Sequence, residues 1–167
     1  MDRPPFRGQS RNFLGMIAPG GDFGANINRP FTDRSMVLQV GGAYGVLWPV
    51  IRQQLGVAPD MGRSALTVVP RIPDGQDRIG GRNIRVGSGS VDVTAVRARG
   101  TLVTAVTRRV PVVLTIGGVI PYRTEVKSVR LDGRPADFTL RRVPRGIEVV
   151  VEVPAGLGAS ALTVSYR

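Results

Sequence analysis

Residues 35–51 carry no charged side chain, and their apolar positions fall on every side of a helix. Such a helix is stable only when buried among other elements. Val40, Tyr44, Leu47, Trp48, Ile51 and Leu55 align along one face, while Val37, Ala43, Val46 and Val50 cover much of the rest. Each large apolar side chain gains roughly 1.5–3 kcal/mol on full burial. Leaving half of this surface in water would forfeit roughly 8–15 kcal/mol, comparable to the whole net stability of a domain, about 5–15 kcal/mol. Beyond Pro59 the pattern changes to short strands, so one side of the helix can rest on them and the other calls for a further partner.

The spacing predicts a helix over 34–55. Thr32 or Asp33 is placed to cap its start, and Gly41, Gly42 and Gly45 invite close approach by a neighbouring backbone. Pro49 is expected to kink it, Arg52-Gln53-Gln54 to bring it to solvent, and Gly56 followed by Pro59 to end it. Arg34 and Arg52 flank the apolar run in the way basic residues flank a membrane span. The run is slightly short for one and holds Gln39, three glycines and Pro49, so a buried helix is expected and no span. Residues 1–31 are rich in Gly, Pro and Asn and read as irregular.

From Ser64 onward the pattern is β. Strands are expected at 65–69, 83–86, 91–97, 102–107, 112–116, 125–131, 137–142, 147–153 and 161–166, with turns at 98–100, 131–133 and 144–146. Ile147, Val149, Val151 and Val153 alternate with Glu148, Val150 and Glu152, which gives one buried and one partly solvated face. The fold class expected is mainly β: an antiparallel β-sandwich of about eight or nine short strands, preceded by an irregular segment and one apolar helix. The expected division is 1–58, the irregular segment and helix, and 59–167, the sandwich.

Composition narrows the chemistry. The chain has 167 residues, no Cys and no His, which excludes disulfides, Cys/His zinc sites, thiol nucleophiles and histidine bases. No cofactor and no metal is expected. Net charge is +11, with 23 basic residues of which only Lys127 is lysine. The arginines are scattered, and the pairs Arg108-Arg109 and Arg141-Arg142 would point to opposite faces of a strand. Outside the first 58 residues the aromatics are Tyr122, Phe138 and Tyr166, too few for a base-stacking platform. Nucleic-acid binding is therefore the less favoured alternative. No secretory signal is evident, which implies a cytoplasmic location for the chain expressed as it stands.

Two motifs invite functional readings. Gly87-Ser88-Gly89 resembles the start of a phosphate loop, but a strand follows it rather than a helix, so a hairpin turn is expected. Asp22 sits in a glycine-rich loop beside Phe23, and Asp33 lies near Arg29 and Arg34 at the helix start. Glycosidic hydrolysis uses two carboxylates flanking the bond. Turn formation and helix capping account for Asp22 and Asp33 without such a site and are the favoured reading.

The run 22–39, continuing through 43–60 and 62–70, resembles bacterial glycogen-debranching-like glycoside hydrolases of the six-hairpin glycosidase superfamily. That resemblance implies a catalytic (α/α)6 barrel followed by a small β-sandwich, with helix 34–55 as the last helix of the barrel. It makes the chain a C-terminal piece of such an enzyme, inactive alone, whose sandwich supports a barrel absent here. Residues 1–21 do not fit the pattern, which implies a truncated or newly initiated reading frame. Asp22, Arg29 and Asp33 would lie nearest the barrel end as candidate sugar-lining residues, and none takes the place of a catalytic carboxylate. The expected partner is the missing barrel or a second copy through the helix, with an oligosaccharide as ligand. A stand-alone carbohydrate-binding sandwich remains the alternative.

Overall fold

A computed structural model describes residues 48–167. The chain divides into two compact units, Met1–Pro49 and Val50–Arg167, and the second is the one described below. Asp22, Arg29, Asp33 and the predicted helix up to Leu47 lie outside the described residues.

The described part of the predicted helix is π-helical over Pro49–Gln54, closed by a hydrogen bond from Leu55 N–H to Val50 O at 2.9 Å. Gly56 ends it with φ +64. Directly after it the chain enters β1 (Val57–Asp60), a strand that the sequence pattern did not indicate, because Pro59 reads as a breaker. Proline is tolerated there because β1 is an edge, bonded only to β2 (Ala65–Val68).

The remaining strands are β3 (Arg78–Val86), β4 (Gly89–Ala98), β5 (Thr101–Ile120), β6 (Val126–Leu131), β7 (Arg134–Pro135), β8 (Thr139–Val143) and β9 (Gly146–Tyr166). The unit is mainly β, as the alternation predicts. Turns fall where expected: Gly87-Ser88 joins β3 to β4, Asp132-Gly133 joins β6 to β7, and Pro144-Arg145 joins β8 to β9. Gly87-Ser88-Gly89 is thus a hairpin turn.

Two details differ from the sequence reading. The expected strands 102–107 and 112–116 are one strand, β5, and 147–153 and 161–166 are one strand, β9. Pairing is antiparallel throughout except between β2 and β5, which run parallel.

These two long strands make both layers. Residues 101–108 of β5 pair with β4 and with the second half of β9, in the order β3-β4-β5-β9-β6-β7. Residues 113–120 pair with β2 and with the first half of β9, in the order β1-β2-β5-β9-β8. Between them the register shifts twice, at Arg108/Val112 and Val112/Leu114. Bulges of this kind bend a strand and let it pass from one sheet into another. The bend is large: a Cβ placed on Gly118 would lie 3.4 Å from Thr104 Oγ1, although a straight strand would hold those positions about 46 Å apart.

The enclosed core draws on both halves, with Val91, Val93, Leu102, Val106, Leu162 and Val164 from one and Leu66, Val68, Leu114, Ile116, Val149 and Val151 from the other. At the corner sits Arg108, only 5% exposed. Its Nη1 donates to Val112 O at 2.9 Å and to Pro154 O at 3.0 Å, one carbonyl from each bending strand. Its Nε is buried without a hydrogen-bond partner. Burial pushes the guanidinium pKa down, partly offset by the carboxylate of Asp132.

Candidate functional site

The outward face of the β1-β2-β5-β9-β8 layer carries the most enclosed polar concavity among those described, about 330 Å³. Its position follows from register. Ala58 lies opposite Thr67, Thr67 beside Thr115, Val150 opposite Thr139, and Glu148 opposite Arg141. Side chains of one parity therefore share this face. Arg52 of the π-helical turn and Arg71 beyond β2 complete the wall.

Gly117 fixes the floor. A Cβ there would lie 2.6 Å from Val149 O, 2.7 Å from Val150 Cγ1 and 3.2 Å from Val69 Cγ2, so any larger residue would push β5 and β9 apart. Val69 and Val150, which crowd that position, line the groove together with Thr67 and Thr115.

Two charged side chains of this groove pair. Arg71 Nη2 donates to Glu148 Oε1 at 2.9 Å, joining residues 77 apart in sequence. The Glu148 side chain is 9% exposed and that of Arg71 40%. Glu148 was expected on the partly solvated face of its strand; it occupies that face but is buried, because the Arg71 fork satisfies its charge there. Arg52 and Arg141 also line the groove. Among the described residues no aromatic side chain lines it.

Two other concavities are more open to solvent. One is lined by Arg78, Gly80, Gly81, Arg82 and Thr94, the other by Asp77, Arg97, Arg99, Gly100 and Tyr166.

Elsewhere several carboxylates serve the fold. Asp92 accepts two hydrogen bonds from Arg109, at 2.9 and 2.6 Å, and one from the backbone N–H of Asn83 at 2.7 Å, at the bulge in β3. These donors, Arg109 first, hold its carboxyl well below the usual aspartate range. A glycosidase acid needs the opposite shift. Glu125 pairs with Arg167, Asp132 accepts from Ala161 N–H, and Asp60 accepts from Arg63 N–H. Among the described residues there is no group of His, Cys, Asp and Glu able to hold a metal ion, and no helix is long and apolar enough to cross a membrane.

Arg71, Arg141, Glu148, Thr67 and Thr115 are absent from the sequence-based candidates. Their one signal was polar residues at outward positions of apolar strands, a pattern shared with any solvated sheet. Asp22, Arg29 and Asp33, lying outside the described residues, cannot be placed relative to them.

The class defined by these features is a mainly β, sandwich-like domain with a polar groove on one layer. Its fold is similar to part of the alpha-L-rhamnosidase from Dictyoglumus thermophilum, at a TM-score of 0.50 and 13% identity, covering 75% of this chain and 13% of that one. A second solved structure, alpha-L-rhamnosidase from Streptomyces avermitilis complexed with L-rhamnose, matches at a TM-score of 0.47 and 19% identity, covering 82% of this chain and 12% of that one. The chain thus spans about an eighth of the length of either enzyme. No protein-family model and no curated protein matches it.

Proposed function

We propose that the chain is a non-catalytic β-module associated with a glycoside hydrolase, its sandwich supporting a catalytic helical domain supplied by another stretch of polypeptide. The observation that carries this reading is the fold likeness to a small part of a much longer alpha-L-rhamnosidase. A glycogen-debranching-like parent enzyme is the finer reading, and it rests on the sequence pattern of 22–70. The partner would be the helical barrel, or a second copy of the chain when the barrel is missing.

The purified full chain is the test material. Self-association or binding of a hydrophobic dye is expected, because the sequence of 35–51 calls for a partner beyond the strands that follow it. Maltooligosaccharides and an aryl α-L-rhamnoside should show no turnover above buffer. Sustained turnover, or a strictly monomeric, dye-negative chain, would overturn the proposal.

A further inference from the structure

We infer that Asp74-Gly75 is a modification site, where the backbone rearranges to isoaspartate and presents a carboxylate that an isoaspartyl carboxyl methyltransferase can take. The sequence holds one other Asp-Gly pair, Asp132-Gly133, and the fold protects it.

The reaction is local and needs no co-reactant besides water. The Gly75 amide nitrogen attacks Cγ of Asp74; a C–N bond forms, and the carboxyl hydroxyl leaves with the amide proton as water, closing a five-membered imide. Water then adds to either imide carbonyl. Opening at Cγ restores aspartate, whereas opening at the main-chain carbonyl routes the chain through the side chain and frees the α-carboxylate. One water is lost and one regained, so the mass is unchanged. Glycine favours the closure because no Cβ shields its nitrogen.

The structure separates the two pairs. Asp74 and Gly75 are exposed, in a turn closed by Gln76 N–H donating to Pro73 O at 3.2 Å. Gly75 has φ +78, and a Cβ built on it would meet nothing within 4 Å. Arg97 secures the loop on either side, its Nη2 donating to Pro73 O at 3.4 Å and to Gln76 O at 3.0 Å. Among the described residues, neither the Asp74 carboxylate nor the Gly75 N–H makes a hydrogen bond. The Asp74 carboxyl is therefore free to swing onto the Gly75 nitrogen while its neighbours stay in place.

Asp132 is clamped instead. Its N–H donates to Ala161 O at 2.8 Å and its Oδ1 accepts from Ala161 N–H at 2.7 Å, so backbone and side chain are both fixed to β9. Reaching the Gly133 nitrogen would break the second of these bonds. Losing a hydrogen bond to a charged group on the way to reaction slows it about tenfold to a hundredfold.

The experiment incubates the full chain at neutral pH and elevated temperature, in buffer and in concentrated urea. Isoaspartate is read by peptide mapping with electron-transfer fragmentation, and by methyl transfer from labelled S-adenosylmethionine with an isoaspartyl methyltransferase. In buffer it should accumulate at Asp74 about tenfold to a hundredfold faster than at Asp132. In urea the two rates should converge, because the Ala161 clamp is gone. Gly75→Ala should slow Asp74 and leave Asp132 unchanged. Equal rates in buffer, a ratio unchanged by urea, or no isoaspartate at Asp74 while the urea sample forms it would each contradict the inference. None of these outcomes bears on the glycoside-hydrolase reading.

Discussion

Gly56→Ala should destabilise the Val50–Arg167 unit by about 3 kcal/mol or more, since left-handed strain costs roughly 1–2 kcal/mol and forced overpacking a further 1–3. Gly56 has φ +64, and a Cβ there would run into the carbonyl of Val69. That carbonyl cannot retreat cheaply, because Val69 N–H donates to Gly56 O at 3.2 Å and Arg71 N–H to Gln54 O at 2.7 Å. The segments before β1 and after β2 are thus stitched together where the steric conflict would arise. Gly75→Ala separates the two causes: Gly75 has φ +78 but nothing within 4 Å of its added Cβ. It should lose only the conformational part, about 1–2 kcal/mol. Urea denaturation of both variants measures the difference, and equal losses would show that the Val69 contact contributes nothing. The groove should suffer with the fold, because Gly56, Val69 and Arg71 all line it.

Arg108→Ala is the second large effect, at about 3 kcal/mol. Removing the guanidinium strands two carbonyls, Val112 O and Pro154 O, in the corner where β5 and β9 turn. A buried group left without its partner costs roughly 1–3 kcal/mol, and the space once filled by a long side chain adds to that. One term opposes the loss: Arg108 is a buried cation, and deleting a buried charge recovers desolvation energy. That recovery dominates when both members of a polar pair are replaced by apolar groups. Here the carbonyls stay, so the stranded acceptors decide the sign. Arg108→Met fills most of the space and should cost less, about 1–2 kcal/mol, which isolates the hydrogen bonds from the cavity. A variant as stable as the parent would mean that Arg108 is tolerated at the corner rather than holding it.

The same corner explains what the sequence concealed. Arg108-Arg109-Val110-Pro111 reads as a break between strands because charge and proline interrupt the alternation, yet β5 passes through it as a bend. Pro154-Ala155-Gly156-Leu157-Gly158 falls in the gap between the expected strands 147–153 and 161–166 and is the matching bend in β9. Alternation is a local signal and reports the strands on either side; whether they are continuous depends on pairing with residues far along the chain. The same limit hid Glu148. Its place on the outward face of β9 was legible, while its burial depends on Arg71. The turns at Asp132-Gly133 and Pro144-Arg145 were legible because turn chemistry is local. β1 was missed for a local reason as well, since Pro59 is a breaker everywhere except on an edge.

The most direct test of the accessory-module account is the nucleotide sequence immediately upstream of the Met1 codon, read in frame. The account predicts an uninterrupted frame encoding apolar helical hairpins, the partner layer that residues 35–51 demand. An in-frame stop codon directly before Met1, with no neighbouring frame encoding such helical hairpins, would contradict it.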